Sequence, residues 1–419
     1  MSMPQVLDCT PPRAFLGRNA DLRTICVRGG YNPFDDPHAS ILPPLYRGVT
    51  YVMPDTKTAE RMIRGEEGGY VYGRFGNPTV TMLERCVAAL EGSYILEYLS
   101  HNVAALACAT GNAAHRLLIT HFCSSGDNIV LSPYLYGGTR HLVEHRVSFA
   151  NIEARFVEDP TDIESWRHHI DERTQYLFVE MPTNPHGYMY DIRALADLAH
   201  FYDKPLVVDS TIATPILLRP MEHCADIVIH SLTKTMAGFS QSMGGIIVGR
   251  KKLIEHLQTS EARDEGSVLS PDDAWLIRLG IMTLYERVQA HAENTLQLLC
   301  VLRQHPRIKN VWHPLCGSHP THAVASRLLE GFPPVLYAEI HGDETQTRKF
   351  MDALQFCRNC VHLGDANTFA THCWSTTHGV LKPKEKESSG IFPNGVRFSV
   401  GREDMGCVIS DILQALDVI

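Results

Sequence analysis

Three short apolar runs, "PLVVDS", "ADIVIH" and "GGIIVG", follow one another between residues 205 and 249. None alternates apolar with polar residues. A strand with one face in water must alternate, so strands of this kind are covered on both faces. Further strand-like runs, "DNIVLS", "IEARFV" and "QYLFVE", precede them. Helical segments such as "GNAAHRLLITHFCSSG" and "DIRALADLAHFYD" lie between. This alternation over residues 61–265 predicts an α/β fold, a mostly parallel central sheet with helices on both faces. In "NPTVTMLERCVAALEG", Asn77 is placed to cap a helix, Pro78 suits its first turn and Gly92 its end.

The flanks read differently. Residues 1–60 are rich in Pro, Gly and Asp with little periodicity, which predicts an extended N-terminal arm. Residues 266–419 open with a long helical tract from "DDAWLIRLG" to "QLLCVL". They continue with the strands "VLYAEIH" and "VRFSV", a helix "ETQTRKFMDALQFC" and a closing helix from Met405, a smaller α+β domain.

Composition excludes several classes. A net charge of −9 over 419 residues argues against nucleic-acid or anionic-membrane partners. No apolar stretch reaches the ~18 residues of a membrane span, and the N-terminus lacks the apolar core of a secretion signal. Twelve cysteines without a framework spacing suit reduced thiols and a cytoplasmic setting. The cluster Cys357, Cys360, His362, His372 and Cys373 has residue types that bind zinc, but not a zinc-site spacing; no metal is expected.

In open α/β sheets, ligands bind beyond the carboxyl ends of the strands. Four features fall there. Asp209 ends "PLVVDS". Ser231, Thr233 and Lys234 follow "ADIVIH". Tyr136 follows "DNIVLS". Gly111 and Asn112 open a helix. Singly, each has a plainer reading as a cap, a solvated charge or a packing residue. Together they form one set. Amides at a helix N-terminus, the two hydroxyls and Arg74 suit a phosphate. Asp209 suits a protonated pyridine nitrogen, Tyr136 an aromatic stack, and Lys234 a Schiff base with a carbonyl. A pyridoxal phosphate enzyme needs these parts.

Seven motifs occur in an order that resembles the Cys/Met-metabolism family of pyridoxal 5′-phosphate (PLP) enzymes: "YVYGRFGNPT", "ATGNAA", "YLYGGT", "EMPTNP", "VVDSTIATP", "HSLTKTMAG" and "VRFSVGRED". The family holds cystathionine γ-synthase, cystathionine γ- and β-lyases, methionine γ-lyase and O-acetylhomoserine sulfhydrylase. The resemblance implies fold type I (aspartate-aminotransferase-like) and a homotetramer built as a dimer of active dimers. It implies that Tyr72 and Arg74 reach the cofactor phosphate of a neighbouring subunit, and that Thr110, Gly111 and Asn112 form the phosphate loop. Tyr136 would stack on the ring and Asn184 lie near it. Asp209 would face the ring nitrogen, Lys234 carry the Schiff base, and Arg397 bind the substrate α-carboxylate. Lys234, Tyr136 and Tyr72 are the catalytic candidates.

The implied activity is γ-elimination or γ-replacement on a homoserine-type or methionine/cystathionine-type amino acid, in sulfur amino-acid metabolism. A β-eliminating cystathionine or cysteine lyase and a non-catalytic scaffold are the alternatives. Several positions depart from the family pattern. His362 stands where Ser is usual, Val361 where cystathionine γ-lyases carry Glu, and Gly138 where methionine γ-lyases carry Cys. Phe239, Gln241, Cys373 and Trp374 are also altered. Val361, His362 and Trp374 therefore join Arg397 as expected substrate-pocket residues, with a packed core histidine as the other reading of His362.

Overall fold

A computed structural model describes residues 21–92, 102–379 and 381–419. Its larger sheet has seven strands: β1 (Val103–Cys108), β2 (Asn128–Leu131), β3 (Glu153–Phe156), β4 (Thr174–Glu180), β5 (Leu206–Asp209), β6 (Ile227–His230) and β7 (Gly245–Arg250). Their order is β1-β7-β6-β5-β4-β2-β3. Strands β2 to β6 pair in parallel, and β7 runs antiparallel to both β1 and β6. Successive side chains of the apolar runs enter opposite cores. Val208, Val228, Ile246 and Val248 pack on one face. Val207, Ile227, Ile229 and Ile247 pack on the other. Burial on both faces is why these runs do not alternate.

Strand β1 was not among the expected elements. Its sequence VAALAC is half alanine, a residue depleted in strands. Pairing with β7 over six residues overrides that preference.

A second sheet has the order β10-β11-β12-β9-β8, with β8 (Ile308–Trp312), β9 (Val335–Ile340), β10 (Arg358–Asn359), β11 (Phe369–Thr371) and β12 (Gly395–Ser399). It shares a core with the helices Leu284–Gln304 and Met405–Asp417. Strands β8, β10 and β11 are additions to the sequence reading; the last two have only two and three residues and leave no periodic signal.

The N-terminal segment differs from a wholly extended arm. Residues Asp21–Arg28 form a helix. Its Leu22, Ile25 and Cys26, at helical spacing, join the main core. Its last carbonyls are held from far along the chain. The buried Arg278 donates to the oxygens of Cys26 (2.9 Å), Val27 (2.8 Å) and Gly29 (3.0 Å). A helix of eight residues is marginal alone, so its stability comes from this remote cap and the core. Residues 1–20 of the expected arm lie outside the described residues.

The long helical tract is two helices, Pro271–Ile281 and Leu284–Gln304. At their junction the fully buried Arg287 donates to the carbonyls of Gly280 (2.7 Å), Thr235 (2.5 Å) and Met236 (3.1 Å). One guanidinium thus satisfies the first helix's end and the turn that follows Lys234. Removing it strands the carbonyls of Thr235 and Met236, a cost of roughly 1–3 kcal/mol for each group left unsatisfied. Arg287→Met should lower unfolding stability by about 3 kcal/mol or more. A urea midpoint indistinguishable from that of the unmodified chain would contradict this account.

Candidate functional site

Parallel register brings the ends of β4, β5 and β6 to one level. Glu180 lies beside Asp209, and Asp209 beside Ile229. Asp209 is buried. Its Oδ1 accepts from the amide of Thr211 (3.0 Å) and from the Thr211 hydroxyl (2.5 Å). Its Oδ2 accepts from Nε2 of His115 (3.1 Å). Burial pushes this carboxyl's pKa up, but the donors from His115 and Thr211 win and hold it below the usual carboxylate value. Asp209 is therefore anionic at neutral pH. The Thr211 hydroxyl also accepts from the amide of Ser231 (2.8 Å), which ties the ends of β5 and β6 together.

Across from Asp209 starts the helix Gly111–Phe122, capped by the Thr110 side chain on the amide of Ala113 (3.0 Å). A Cβ on Gly111 would come within 3.1 Å of the Ser231 Cβ. One on Gly245 would come within 2.1 Å of the Thr110 carbonyl oxygen. Two absent side chains thus let the helix N-terminus settle against Ser231. Asn112 is exposed beside it. The Thr233 hydroxyl is turned to Gly244, donating to its carbonyl (3.2 Å) and accepting from its amide (3.0 Å).

Lys234 faces a second group. Its Nζ donates to Nδ1 of His362 at 3.3 Å. Burial first, and the positive charge of Arg397 second, pull the ammonium down to about 8. The same burial, with Lys234 nearby, pulls His362 down to about 4, so its ring is neutral and able to accept. His362 Nε2 is buried without a protein partner. Arg397, on β12, is almost fully buried. Its Nη2 donates to the carbonyls of Val361 (3.2 Å) and His362 (2.8 Å) and to the Thr371 hydroxyl (3.1 Å). Its Nη1 reaches Asn184 Oδ1 only at 3.4 Å, and its Nε has no partner. A buried guanidinium with one weak and one empty donor position is built to receive a carboxylate.

Glu180 organises the remaining wall. Its carboxylate accepts from the amides of Tyr136 (2.7 Å) and Asn184 (2.8 Å). Burial and the neighbouring Asp209 push its pKa up to about 8, against those two amides. Tyr136 is pinned by its backbone while its ring remains partly exposed.

Other expected residues stand apart. Tyr72 and Arg74 are exposed. Arg74 donates to the carbonyl of Arg263 and lies over the Phe75 ring. Val361 points its side chain outward and contributes its carbonyl to Arg397. Trp374 lies under Lys386, whose Nζ sits 4.7 Å from its ring centre and 2.9 Å from its carbonyl. The cysteine cluster is dispersed. The Cys357 amide bonds Asp411, and His372 bonds Ser375 and Pro393. The helix read as ending at Cys357 stops at Ala353. Three site residues went unassigned from sequence: His115, Glu180 and Arg287. Glu180 lay inside a quoted motif. His115 sits four residues after Gly111, on one helical face with it, but its partner Asp209 is 94 residues away and no local pattern marks it.

PLP fits these residues. The N-terminus of the helix at Gly111 lies against Ser231, offering backbone amides and a hydroxyl to a phosphate, and a Cβ on Gly111 would crowd that contact. There is an anionic Asp209 for a protonated ring nitrogen, and a lysine with a depressed pKa for its aldehyde.

Comparison with known proteins agrees. Residues 23–417 match the model for the "Cys/Met metabolism PLP-dependent enzyme" family. The chain is 34% identical to a sulfhydrylase of Fusarium oxysporum f. sp. lycopersici, over 94% of this chain and 97% of that protein. It is 33% identical to L-methionine gamma-lyase of Pseudomonas putida, over 94% and 96%. Among solved structures it is similar to an O-acetylhomoserine (thiol)-lyase candidate from Campylobacter jejuni that carries N′-pyridoxyl-lysine-5′-monophosphate. That match has a TM-score of 0.89, 29% identity and coverage of 95% of this chain and 100% of the other. The cystathionine gamma-lyase of Lactobacillus plantarum matches with a TM-score of 0.86, 27% identity and coverage of 95% and 99%.

The charge environment of Lys234 can be read directly. In protein freed of cofactor, its trinitrophenylation by trinitrobenzenesulfonate, with loss of sulfite, followed by peptide mass spectrometry, should rise with a midpoint near pH 8. Arg397→Leu removes a neighbouring positive charge and should move that midpoint upward. A midpoint in the ordinary lysine range, or no response to the Arg397 change, would refute the electrostatic assignment.

Proposed function

Because this chain belongs to the Cys/Met metabolism family of PLP-dependent enzymes, we propose that it catalyses γ-elimination or γ-replacement on a homoserine-type or methionine-type amino acid. The observation that carries the reading is the convergence of Lys234, Asp209 and Arg397 on one site, with an open donor position on Arg397. The relatives named sulfhydrylase and methionine gamma-lyase support the substrate class.

When bound, PLP supplies an electron sink for charge at the substrate's Cα. The protein does the rest. Arg397 holds the α-carboxylate through its open Nε–H, and so aims Cα at Lys234. Lys234 Nζ, with its lowered pKa, takes the proton from Cα, would hand it on to the bound cofactor, and as a neutral amine again takes one from Cβ. Asp209, held anionic by His115 and Thr211, would face the ring nitrogen and keep it protonated. Tyr136, pinned through its amide by Glu180, would cover the ring and give a proton to the group leaving Cγ. The bond from Cγ to that group breaks with its electron pair. Water then gives a 2-oxo acid and ammonia, or a thiol takes the vacated Cγ. Of the three expected specificity residues only His362 touches Lys234, and it is the one that would distinguish substrates.

The same reading makes the protein a cytoplasmic homotetramer of two active dimers. Its support is the exposure of Tyr72 and Arg74 together with apolar side chains of the N-terminal region: Phe34, Ile41 and Val52 are 89%, 87% and 99% exposed. A neighbouring subunit would cover them and receive Tyr72 and Arg74 at its phosphate end.

Incubation with methionine, cystathionine, cysteine and O-acyl-homoserines, with and without a thiol, should release 2-oxobutanoate or form a new thioether amino acid. Pyruvate alone would overturn the γ assignment. Lys234→Ala should abolish turnover and the long-wavelength absorption of the bound cofactor; full activity would sink the reading. Arg397→Ala should lower kcat/KM by about 2–4 kcal/mol, roughly 30- to 1,000-fold. An unchanged value would remove the clamp.

A further inference from the structure

Asp209 and Glu180 are neighbours on adjacent strands, and both are buried. Two carboxyls so placed do not both stay ionised, and the charge settles on the one better served by donors. Glu180 receives two backbone amides. Asp209 receives an amide and a hydroxyl from Thr211, and the imidazole N–H of His115. The histidine is therefore the donor that separates the two. Its side chain is 7% exposed and stands edge-on to Phe178, with ring centres 5.2 Å apart, so it has little freedom to leave.

His115 also sits on the helix whose first residue, Gly111, faces Ser231. Positions four apart share one helical face, about 6 Å apart along the axis. One rigid element thus carries the amides of the phosphate end and the group that backs Asp209. We infer that His115 is a positioning residue that holds the negative charge of the Glu180–Asp209 pair on Asp209, and so sets the affinity of the site for a ring with a protonated nitrogen. The inference rests on the proposed PLP site and adds a residue to it. The direction of the two carboxyls agrees: Asp209 lies below its usual value, and Glu180 is raised to about 8.

The test uses the full chain freed of cofactor and two probes that cannot bond to Lys234. One is pyridoxine 5′-phosphate; the other is the same molecule with the ring nitrogen replaced by CH. Dissociation constants are read by calorimetry. The unmodified protein should prefer the pyridine probe. His115→Leu should weaken that probe by about tenfold, as expected for a lost hydrogen bond to a charged group, and leave the carbon analogue within about twofold. His115→Gln, which keeps an N–H donor, should retain most of the preference. His115→Asn, too short to reach Asp209, serves the same comparison if the leucine variant does not fold. Equal loss of both probes, or no loss of either, would overturn the role of His115. Failure of the unmodified chain to bind either probe would overturn the PLP site itself.

Discussion

A sheet covered on both faces leaves its chemistry nowhere to go but the strand ends. Here alternate side chains of β5, β6 and β7 fill two separate cores, so no polar group can be afforded in mid-strand. Asp209 is the last residue of β5, Glu180 the last of β4, and Ser231 the first beyond β6. Their shared level follows from parallel register alone. Every later feature of the site is an answer to what happens when charged groups are gathered at such an edge and kept from water.

The answers are local and opposite in sign. Asp209 remains charged because three donors outweigh its burial. Lys234 is drawn toward its neutral form because burial and Arg397 act together. Arg397 is lowered by burial too, yet two backbone carbonyls and the Thr371 hydroxyl leave it well solvated by protein. The site therefore holds a fixed anion, a fixed cation and, between them, a base of adjustable charge. That division of labour is what proton transfer beside a carboxylate-bearing substrate requires.

Much of this was legible in the sequence, for a physical reason. Lys234, Asp209 and Gly111 stand where apolar runs stop, and a charged residue or glycine at such a boundary is conspicuous. Arg397 was legible only through a motif, because it lies within β12 and looks like an interior oddity. His115 and Arg287 were hidden. Each sits in the body of a helix, and its partner is supplied by a segment about 50 to 100 residues away. Strand β1 was masked by its alanines, and the helix Asp21–Arg28 by its dependence on Arg278. What local pattern dictates could be read; what distant hydrogen bonds dictate could not.

The two ends of the site belong to different sheets. Arg397 rides on β12 of the smaller sheet, whereas Lys234 follows β6 of the larger one. The site is in effect a pair of callipers, with the carboxylate jaw on one body and the amine jaw on the other. The distance between the jaws is set by how one sheet packs on the other, as where Gly364 lies against Thr235 with no room for a side chain. A substitution in that packing would reset the spacing of amine and guanidinium without touching either.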